Sequence, residues 1–202
     1  HIRIGNDYYA EKNKTYGLST MRTRHMDVLN NKIKFEFVGK KGKQHSVSVK
    51  NKRLRKLIMQ CEEIPGWELF KYYDESGKHH AIDSGMVNDY IHELSGDHFS
   101  AKDFRTWAAS KVFFEVLYNI GPADTKKERK SNILQALDTT AKALGNTRAV
   151  CRKYYVHPVL AEKYKEGVLT PFFDQLDTLN DPEDYLSPTE TVLLHVLSEY
   201  KV

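Results

Sequence analysis

The sequence has few of the features that mark secreted, metal-bound or membrane-spanning proteins. Of its 202 residues only two are cysteines, Cys61 and Cys151, which lie far apart with no Cys-x-x-Cys pair or Cys/His cluster around them. A disulfide framework or a zinc site is therefore not indicated. There is no apolar run long enough to span a bilayer, and the first residues, HIRIGNDYY, contain no apolar targeting segment. We expect a cytoplasmic protein from a reducing compartment, without membrane association.

Histidine is present, but not in metal-binding patterns. His25, His45, His79, His80 and His157 have no second histidine or cysteine at a spacing typical of metal ligands. Surface, capping or packing roles are the simpler interpretation for all five. We expect no metal site.

Acidic residues are scarce in the first part of the chain. Residues 1–60 contain 15 Lys and Arg against 4 Asp and Glu, whereas residues 170–202 contain 1 against 7, and the whole chain has a net charge of +4. A basic end of this kind is typical of a surface that meets a polyanion, although a solvated lysine-rich face is the plainer alternative. The charge alone does not decide between them.

The spacing of apolar residues predicts an α+β fold that is mostly helical. Between His25 and Val49, apolar and polar residues alternate with the period of half-buried strands, as in KIKFEFV and QHSVSV. Asn30-Asn31 and the segment GKKGK separate the runs. We therefore predict a small three-stranded antiparallel sheet, with Lys40, Lys41 and Lys43 at the tip of its second hairpin.

Helical spacing follows the sheet. Asn51, Ser84 and Ser100 stand at positions suited to cap helices, and Gly145 is suited to end one that begins near residue 130. The strongest helix is predicted over residues 101–120, and its apolar face is expected to comprise Phe104, Trp107, Ala108, Val112 and Leu117. Prolines 171, 182 and 188 punctuate an acidic tail that closes with a last helix.

Three cations and one pair of tyrosines are candidates for chemistry. Arg105 lies between two aromatic residues near a helix N-terminus, where the helix dipole disfavours a cation, so we expect it to need an anionic partner. Arg3 and Lys40 have ordinary surface explanations when taken singly. Tyr154 and Tyr155 follow a helix start at Asn146-Thr147, and a tyrosine hydroxyl, with a pKa near ~10, attacks at neutral pH only beside cations.

Four segments together resemble a known family. Together they are similar to the catalytic domain of type IB DNA topoisomerases of the bacterial and poxvirus kind. In chain order, the segments are IRIGNDYY with KTYGLSTMRTRH, FEFVGKKGKQH, SAKDFRTWAAS and LGNTRAVCRKYYVHP. The resemblance runs from residue 1 to about residue 166. It implies the helical catalytic domain with a small sheet that these enzymes share with tyrosine recombinases.

The resemblance also implies a set of catalytic residues. The arginine of RIG is Arg3, the lysine after FVG is Lys40, and the arginine of KDFRTW is Arg105. The position after LG is Asn146, where poxvirus enzymes have histidine, and the family nucleophile follows it by nine residues, at Tyr155. Arg3, Arg105 and Asn146 are then expected to bind the phosphate, and Lys40 to act as general acid.

Further roles come from the same resemblance. Lys102 matches a lysine that assists the general acid in poxvirus relatives, and Tyr9 matches a tyrosine that contacts DNA. We expect Lys41 and Lys43, beside Lys40, to contact DNA as well. Tyr154 is then a structural neighbour of the nucleophile.

The implied activity is relaxation of supercoiled DNA. One strand is cleaved through a 3′-phosphotyrosyl intermediate, the strand swivels, and it is resealed without ATP or an obligatory metal. The expected partner is double-stranded DNA, and the expected setting is a monomer in the bacterial cytoplasm, associated with the nucleoid.

We divide the chain into a sheet-containing part, residues 1–50, a helical core with the active site, residues 51–166, and an acidic tail with a helix, residues 167–202. The N-terminal clamp domain of the family is expected to be absent. Two alternatives remain open. A tyrosine recombinase or integrase is one, although such enzymes have His-x-x-Arg where this chain has Lys102 and Arg105. A catalytically silent DNA-binding relative is the other.

Overall fold

The structure is a computed structural model that describes residues 2–96, 99–179 and 185–200. The chain divides into two compact units, one formed by residues 2–101 and the other by the chain from residue 102 onward. The division into segments 1–50, 51–166 and 167–202 stays a prediction. Residues 180–184 of the acidic tail, which include Pro182, lie outside the described residues.

The first unit contains the predicted sheet. After helix α1 (Asp7–Asn13), strands β1 (Met26–Leu29), β2 (Lys32–Gly39) and β3 (Lys43–Val49) form an antiparallel sheet in that order. Short 3-10 turns at Thr23–His25 and Lys40–Gly42 precede β1 and join β2 to β3. The three-stranded sheet and its lysine-bearing turn are therefore confirmed.

Alternation along β2 places one row of side chains in a core. Ile33, Phe35 and Phe37 are buried, while Glu36 is exposed. Successive residues of a strand point to opposite faces, so this single strand builds one wall of the core. The other buried members of that core are Ala10, Tyr16, Met21, Ile58 and Leu69.

The remainder of the first unit includes a hairpin that the sequence pattern did not reveal. Helix α2 (Lys52–Glu62) begins after Asn51, whose side chain accepts from the Leu54 N–H at 3.0 Å, as predicted. Strands β4 (Lys71–Tyr73) and β5 (His79–Ala81) then form a second antiparallel sheet. Strands of three residues are too short to show a period of two, which explains the omission.

Helix α3 (Ser84–Ser95) has a different cap from the one expected. The Asp83 side chain accepts from the Met86 N–H at 2.9 Å, and Ser84 is the first helical residue. The prediction of Ser84 as the cap was therefore wrong by one position. Asp is as good an N-cap as Ser, because both offer a side-chain oxygen to the unpaired N–H groups of the first turn.

The second unit is helical within the residues that the structure describes. Helix α4 (Ala101–Ile120) begins at the junction of the units and is followed by α5 (Lys126–Leu144), α6 (Arg148–Tyr154), α7 (Pro158–Glu166), α8 (Thr170–Thr178) and α9 (Pro188–Ser198). Their shared core contains fully buried Phe113, Phe114 and Leu117 of α4. Among the described residues, no helix is long and apolar enough to cross a membrane.

The buried face of α4 differs from the predicted one. Phe104 is 66% exposed, whereas Arg105, Ala109 and Ser110 are buried together with Phe113 and Phe114. Of the predicted face, Leu117 is buried and Trp107 packs against the core partly buried, so the prediction holds for these two residues and was wrong for Phe104. The hydrophobic pattern misplaced the face because it treats arginine and serine as surface residues.

Two helix ends next to the predicted site follow their sequence signals. Helix α5 starts four residues earlier than expected, where Thr125 and Glu128 form a reciprocal capping box. It ends at Gly145, whose φ of +67° is the left-handed conformation that glycine adopts without steric cost. Thr147 caps α6 by accepting from the Val150 N–H at 3.3 Å. A two-residue link, Gly145-Asn146, therefore separates α5 from this cap.

Candidate active site

The two neighbouring tyrosines at the end of α6 have different surroundings. Tyr154 is the last helical residue and is 54% exposed, with the Lys153 ammonium 5.1 Å from its ring centre. Tyr155 is the C-cap, at φ −127° and ψ −44°, and its half-buried ring packs against the core of the second unit. Tyr155 therefore lies just beyond the helix, and the two tyrosine side chains occupy separate environments.

Tyr155 is fixed through its main chain. Its N–H donates to the Cys151 carbonyl at 3.1 Å, and the next N–H, of Val156, donates to the same carbonyl at 2.9 Å. Cys151 is fully buried. These two hydrogen bonds therefore close the last turn of α6 at Tyr155, the candidate nucleophile.

Arg105 meets this tyrosine. Its side chain is 7% exposed, one Nη2–H donates to the Leu144 carbonyl at 2.9 Å, and the guanidinium carbon lies 5.6 Å from the Tyr155 ring centre. A cation over an aromatic face is attracted by the ring quadrupole. Arg105 thus binds a helix C-terminal carbonyl and packs on a ring, and the anionic partner expected from the sequence stays a prediction.

Asn146 lies two residues after Leu144, whose carbonyl binds Arg105. The carbonyl of Leu144 binds Arg105, Gly145 turns the chain, and the Asn146 N–H donates to the Ala141 carbonyl at 2.8 Å. The structure therefore brings Arg105, Tyr155 and the Asn146 segment together around the ends of α5 and α6. Lys102, also in this unit, is exposed on the first turn of α4, one turn before Arg105.

Ser110 supports the site and was not predicted. It is 2% exposed on α4, and its hydroxyl oxygen accepts from the His157 N–H at 3.1 Å. The His157 ring in turn caps α7, with Nδ1 accepting from the Val159 N–H at 3.4 Å. One helix, α4, therefore contacts the chain on both sides of Val156. A lone serine in an apolar helix carries no sequence signal for such a contact.

The other predicted residues belong to the first unit. Arg3 is half-buried, and its carbonyl accepts from the Leu18 N–H at 2.8 Å. Gly17 packs so closely on this segment that a Cβ there would lie 2.6 Å from the Arg3 carbonyl oxygen and 2.5 Å from Gly5. The main chain around Arg3 is therefore fixed by close packing. Tyr9 is 52% exposed on α1.

The lysines of the predicted hairpin tip are exposed. Lys40 and Lys41 lie in the 3-10 turn and Lys43 begins β3. Lys41 has a φ of +62°, a left-handed conformation that costs a non-glycine residue roughly 1 kcal/mol or more. Strain of this kind persists only where the surrounding structure imposes it, as it does between the paired ends of β2 and β3.

The ionisable groups of the described residues do not assemble into a metal site. No group of three or more His, Cys, Asp or Glu that could hold an ion occurs among them. His80 instead pairs with Asp74 at 2.7 Å. Hydrogen bonds from Ser76 and then from His80 lower the pKa of Asp74 to about 2. This pair and its neighbours close the β4–β5 hairpin.

Comparison with known proteins identifies the family. The family model described as eukaryotic DNA topoisomerase I, catalytic core, matches residues 1–175. The chain belongs to the type IB DNA topoisomerase family. This match favours the topoisomerase family over the tyrosine recombinases that share its fold class.

Viral relatives support the same assignment. The chain is 32% identical over its whole length to the DNA topoisomerase 1B of Acanthamoeba polyphaga mimivirus, of which it covers 59%. It is 24% identical over 82% of its length to the DNA topoisomerase I of monkeypox virus, of which it covers 50%. The chain thus spans between half and three fifths of these relatives. These viral relatives support the resemblance to the poxvirus enzymes. They give no support to the prediction of a bacterial protein.

Proposed function

We propose that this chain is the catalytic part of an enzyme that relaxes supercoiled double-stranded DNA by cleaving and resealing one strand. The observation that carries the proposal is the contact between the Arg105 guanidinium and the Tyr155 ring, at the end of α6. Membership of the type IB family supports the same activity. The chain covers only part of the length of its relatives. The activity of the whole enzyme is therefore also something that we propose.

The proposed first step is attack by Tyr155 on a DNA phosphorus. The tyrosine oxygen bonds to phosphorus as its proton passes to water, and the bond from phosphorus to the 5′-oxygen breaks. Negative charge spreads over the phosphate oxygens, to which Arg3 and Arg105 donate, with a neutral hydrogen bond from Asn146. A guanidinium has five N–H donors, so Arg105 is able to bind the Leu144 carbonyl and a phosphate oxygen together.

The leaving 5′-oxygen needs a proton, because an alkoxide is a poor leaving group. Lys40 is the proposed donor, assisted by Lys102, and the reverse transfer accompanies resealing. The phosphotyrosyl bond conserves the energy of the cleaved bond, so no ATP is required. We propose that the cations take the role that metal ions have in other phosphoryl-transfer sites.

The surroundings of the reaction form part of the proposal. Tyr9, Lys41 and Lys43 are exposed in the first unit and are proposed to contact the DNA backbone. We propose that the protein binds DNA as a monomer, in the nucleoid or its viral counterpart.

Plasmid relaxation tests the function. The wild type, Tyr155→Phe and Tyr154→Phe are compared on supercoiled plasmid in EDTA without ATP, and covalent protein–DNA adducts are trapped with denaturant. We expect relaxation and a 3′-linked adduct from the wild type and from Tyr154→Phe, and neither from Tyr155→Phe. DNA binding without any adduct from the wild type would instead indicate the catalytically silent relative.

A further inference from the structure

The residue before Lys40 packs against an imidazole ring. Gly39, at the end of β2, has an ordinary φ of −94°, so backbone conformation does not require glycine there. Space does: a Cβ on Gly39 would lie 2.6 Å from both Cδ2 and Nε2 of His45. Such a distance is far inside van der Waals contact, so the His45 ring occupies the place of a side chain at Gly39.

The His45 ring is held in this place from behind. Phe37 and His45 are direct partners across β2 and β3, and their rings stack at 5.0 Å with planes 13° apart. Phe37 is 4% exposed, and it belongs to a row of rings that continues through His25 to Tyr16 at centroid distances of 6.5 Å and 4.4 Å. The ring is therefore wedged between a buried core residue and the base of the Lys40 turn.

The turn exposes the side chain of Lys40. The next two residues, Lys41 and Gly42, are both left-handed, at φ +62° and +72°. A general acid must reach its oxygen to within roughly 2.6–3.2 Å. The side chain of lysine is flexible, so the direction of its Cα–Cβ bond must be set by the main chain that precedes it. That main chain is Gly39, against which His45 packs.

We propose that His45 is a positioning residue that sets the approach of Lys40 to the leaving 5′-oxygen. The inference rests on the proposed function, in which Lys40 is the general acid. It assigns His45 a role through shape and packing, without transfer of a proton. Since a displacement of about 1 Å costs up to ~10²-fold in rate, we expect His45→Ala to slow cleavage about tenfold.

The test separates proton donation from the rest of the reaction. Single-turnover adduct formation is measured on two duplexes that differ at the cleaved bond, one with the natural bridging 5′-oxygen and one with a bridging 5′-sulfur. A thiolate leaves without a donated proton, because thiols are far more acidic than alcohols. We expect His45→Ala to be slow on the oxygen duplex and equal to wild type on the sulfur duplex.

Conservative and control variants narrow the interpretation. His45→Phe keeps a ring against Phe37 and Gly39 and should retain most of the rate on the oxygen duplex. His79→Ala removes an exposed histidine of the same unit and should match the wild type on both duplexes. Equal slowing of both duplexes by His45→Ala, or no slowing, would overturn this inference alone. Absence of any adduct from the wild type would overturn the proposed function together with it.

A double-mutant cycle gives an independent readout. Gly39→Ala forces its new Cβ against the His45 ring, whereas in the His45→Ala background that space is vacant. We therefore expect Gly39→Ala to slow the oxygen duplex strongly in the wild type and little in His45→Ala. Simple multiplication of the two effects would contradict the packing on which the inference depends. If His45→Ala is poorly folded, Gly39→Ala and His45→Phe, each compared with the wild type on the two duplexes, still test the inference.

Discussion

Replacement of Arg105 by alanine tests the centre of the candidate site. The change removes the donor to the Leu144 carbonyl and the cation beside the Tyr155 ring, both in a buried position. A hydrogen bond from a charged group is worth ~1.5–3 kcal/mol, and the cation–ring contact adds about 0.5–2 kcal/mol. We therefore expect the free energy of unfolding to fall by about 2–5 kcal/mol.

The effect on cleavage should exceed the effect on folding. A preorganised donor to the developing charge is worth ~10²–10³ in rate, so single-turnover adduct formation should slow by that factor. A small domain has roughly 5–15 kcal/mol of stability, which leaves most of the variant folded. The rate at 25 °C then reports the chemical step, provided that circular dichroism shows a native spectrum.

Arg152→Ala is the matched control. It removes the same charge from an exposed position on α6, and so it reproduces any general loss of attraction to DNA. Arg105→Lys should lie between the two, because a lysine keeps the charge and loses the planar fork. The reasoning is refuted if Arg105→Ala cleaves within about threefold of Arg152→Ala, since an oxyanion donor is worth far more than that.

Three further outcomes follow from the same unit. Gly145→Ala places a Cβ at φ +67°, and we expect thermal unfolding to show a loss of about 1 kcal/mol, with slower cleavage because Asn146 follows. Ser110→Ala leaves the partly buried His157 N–H without its acceptor, which should cost ~1 kcal/mol or more in urea unfolding, and Ser110→Thr should restore part of it. Hydrogen bonds from Ser187, then from Trp107, and the charge of Lys111 lower the pKa of Glu190 from 4.5 to about 2. Because the folded-state pKa is the lower one, the carboxylate stabilises the fold above about pH 4.5, and this contribution, on the order of 1 kcal/mol for a partly solvated group, is lost as the pH falls towards 2. Glu190→Gln should flatten that part of the stability profile, and an unchanged slope would contradict the assignment.

Local signals predicted the parts of the fold that depend on neighbours in sequence. The sheet of the first unit follows from alternation in KIKFEFV and from the glycines of its turn, and the end of α5 follows from Gly145. The β4–β5 hairpin lacks such a signal, since each strand has three residues. The prediction of Tyr155 as the nucleophile, by contrast, came from the family resemblance, because residue type alone does not separate it from Tyr154.

The error in the buried face of α4 shows where local reasoning stops. Arg105 and Ser110 are polar, and a helix pattern assigns such residues to solvent. Their burial is possible because each meets a main-chain group far along the chain, the Leu144 carbonyl 39 residues away and the His157 N–H 47 residues away. Burying a polar group without a partner is costly, so these long-range bonds allow the two polar residues to lie on the inward face of α4. Both partners lie next to residues proposed for catalysis, Asn146 and Tyr155. The polar residues that break the apolar pattern of α4 are thus the ones that hold the candidate site in place.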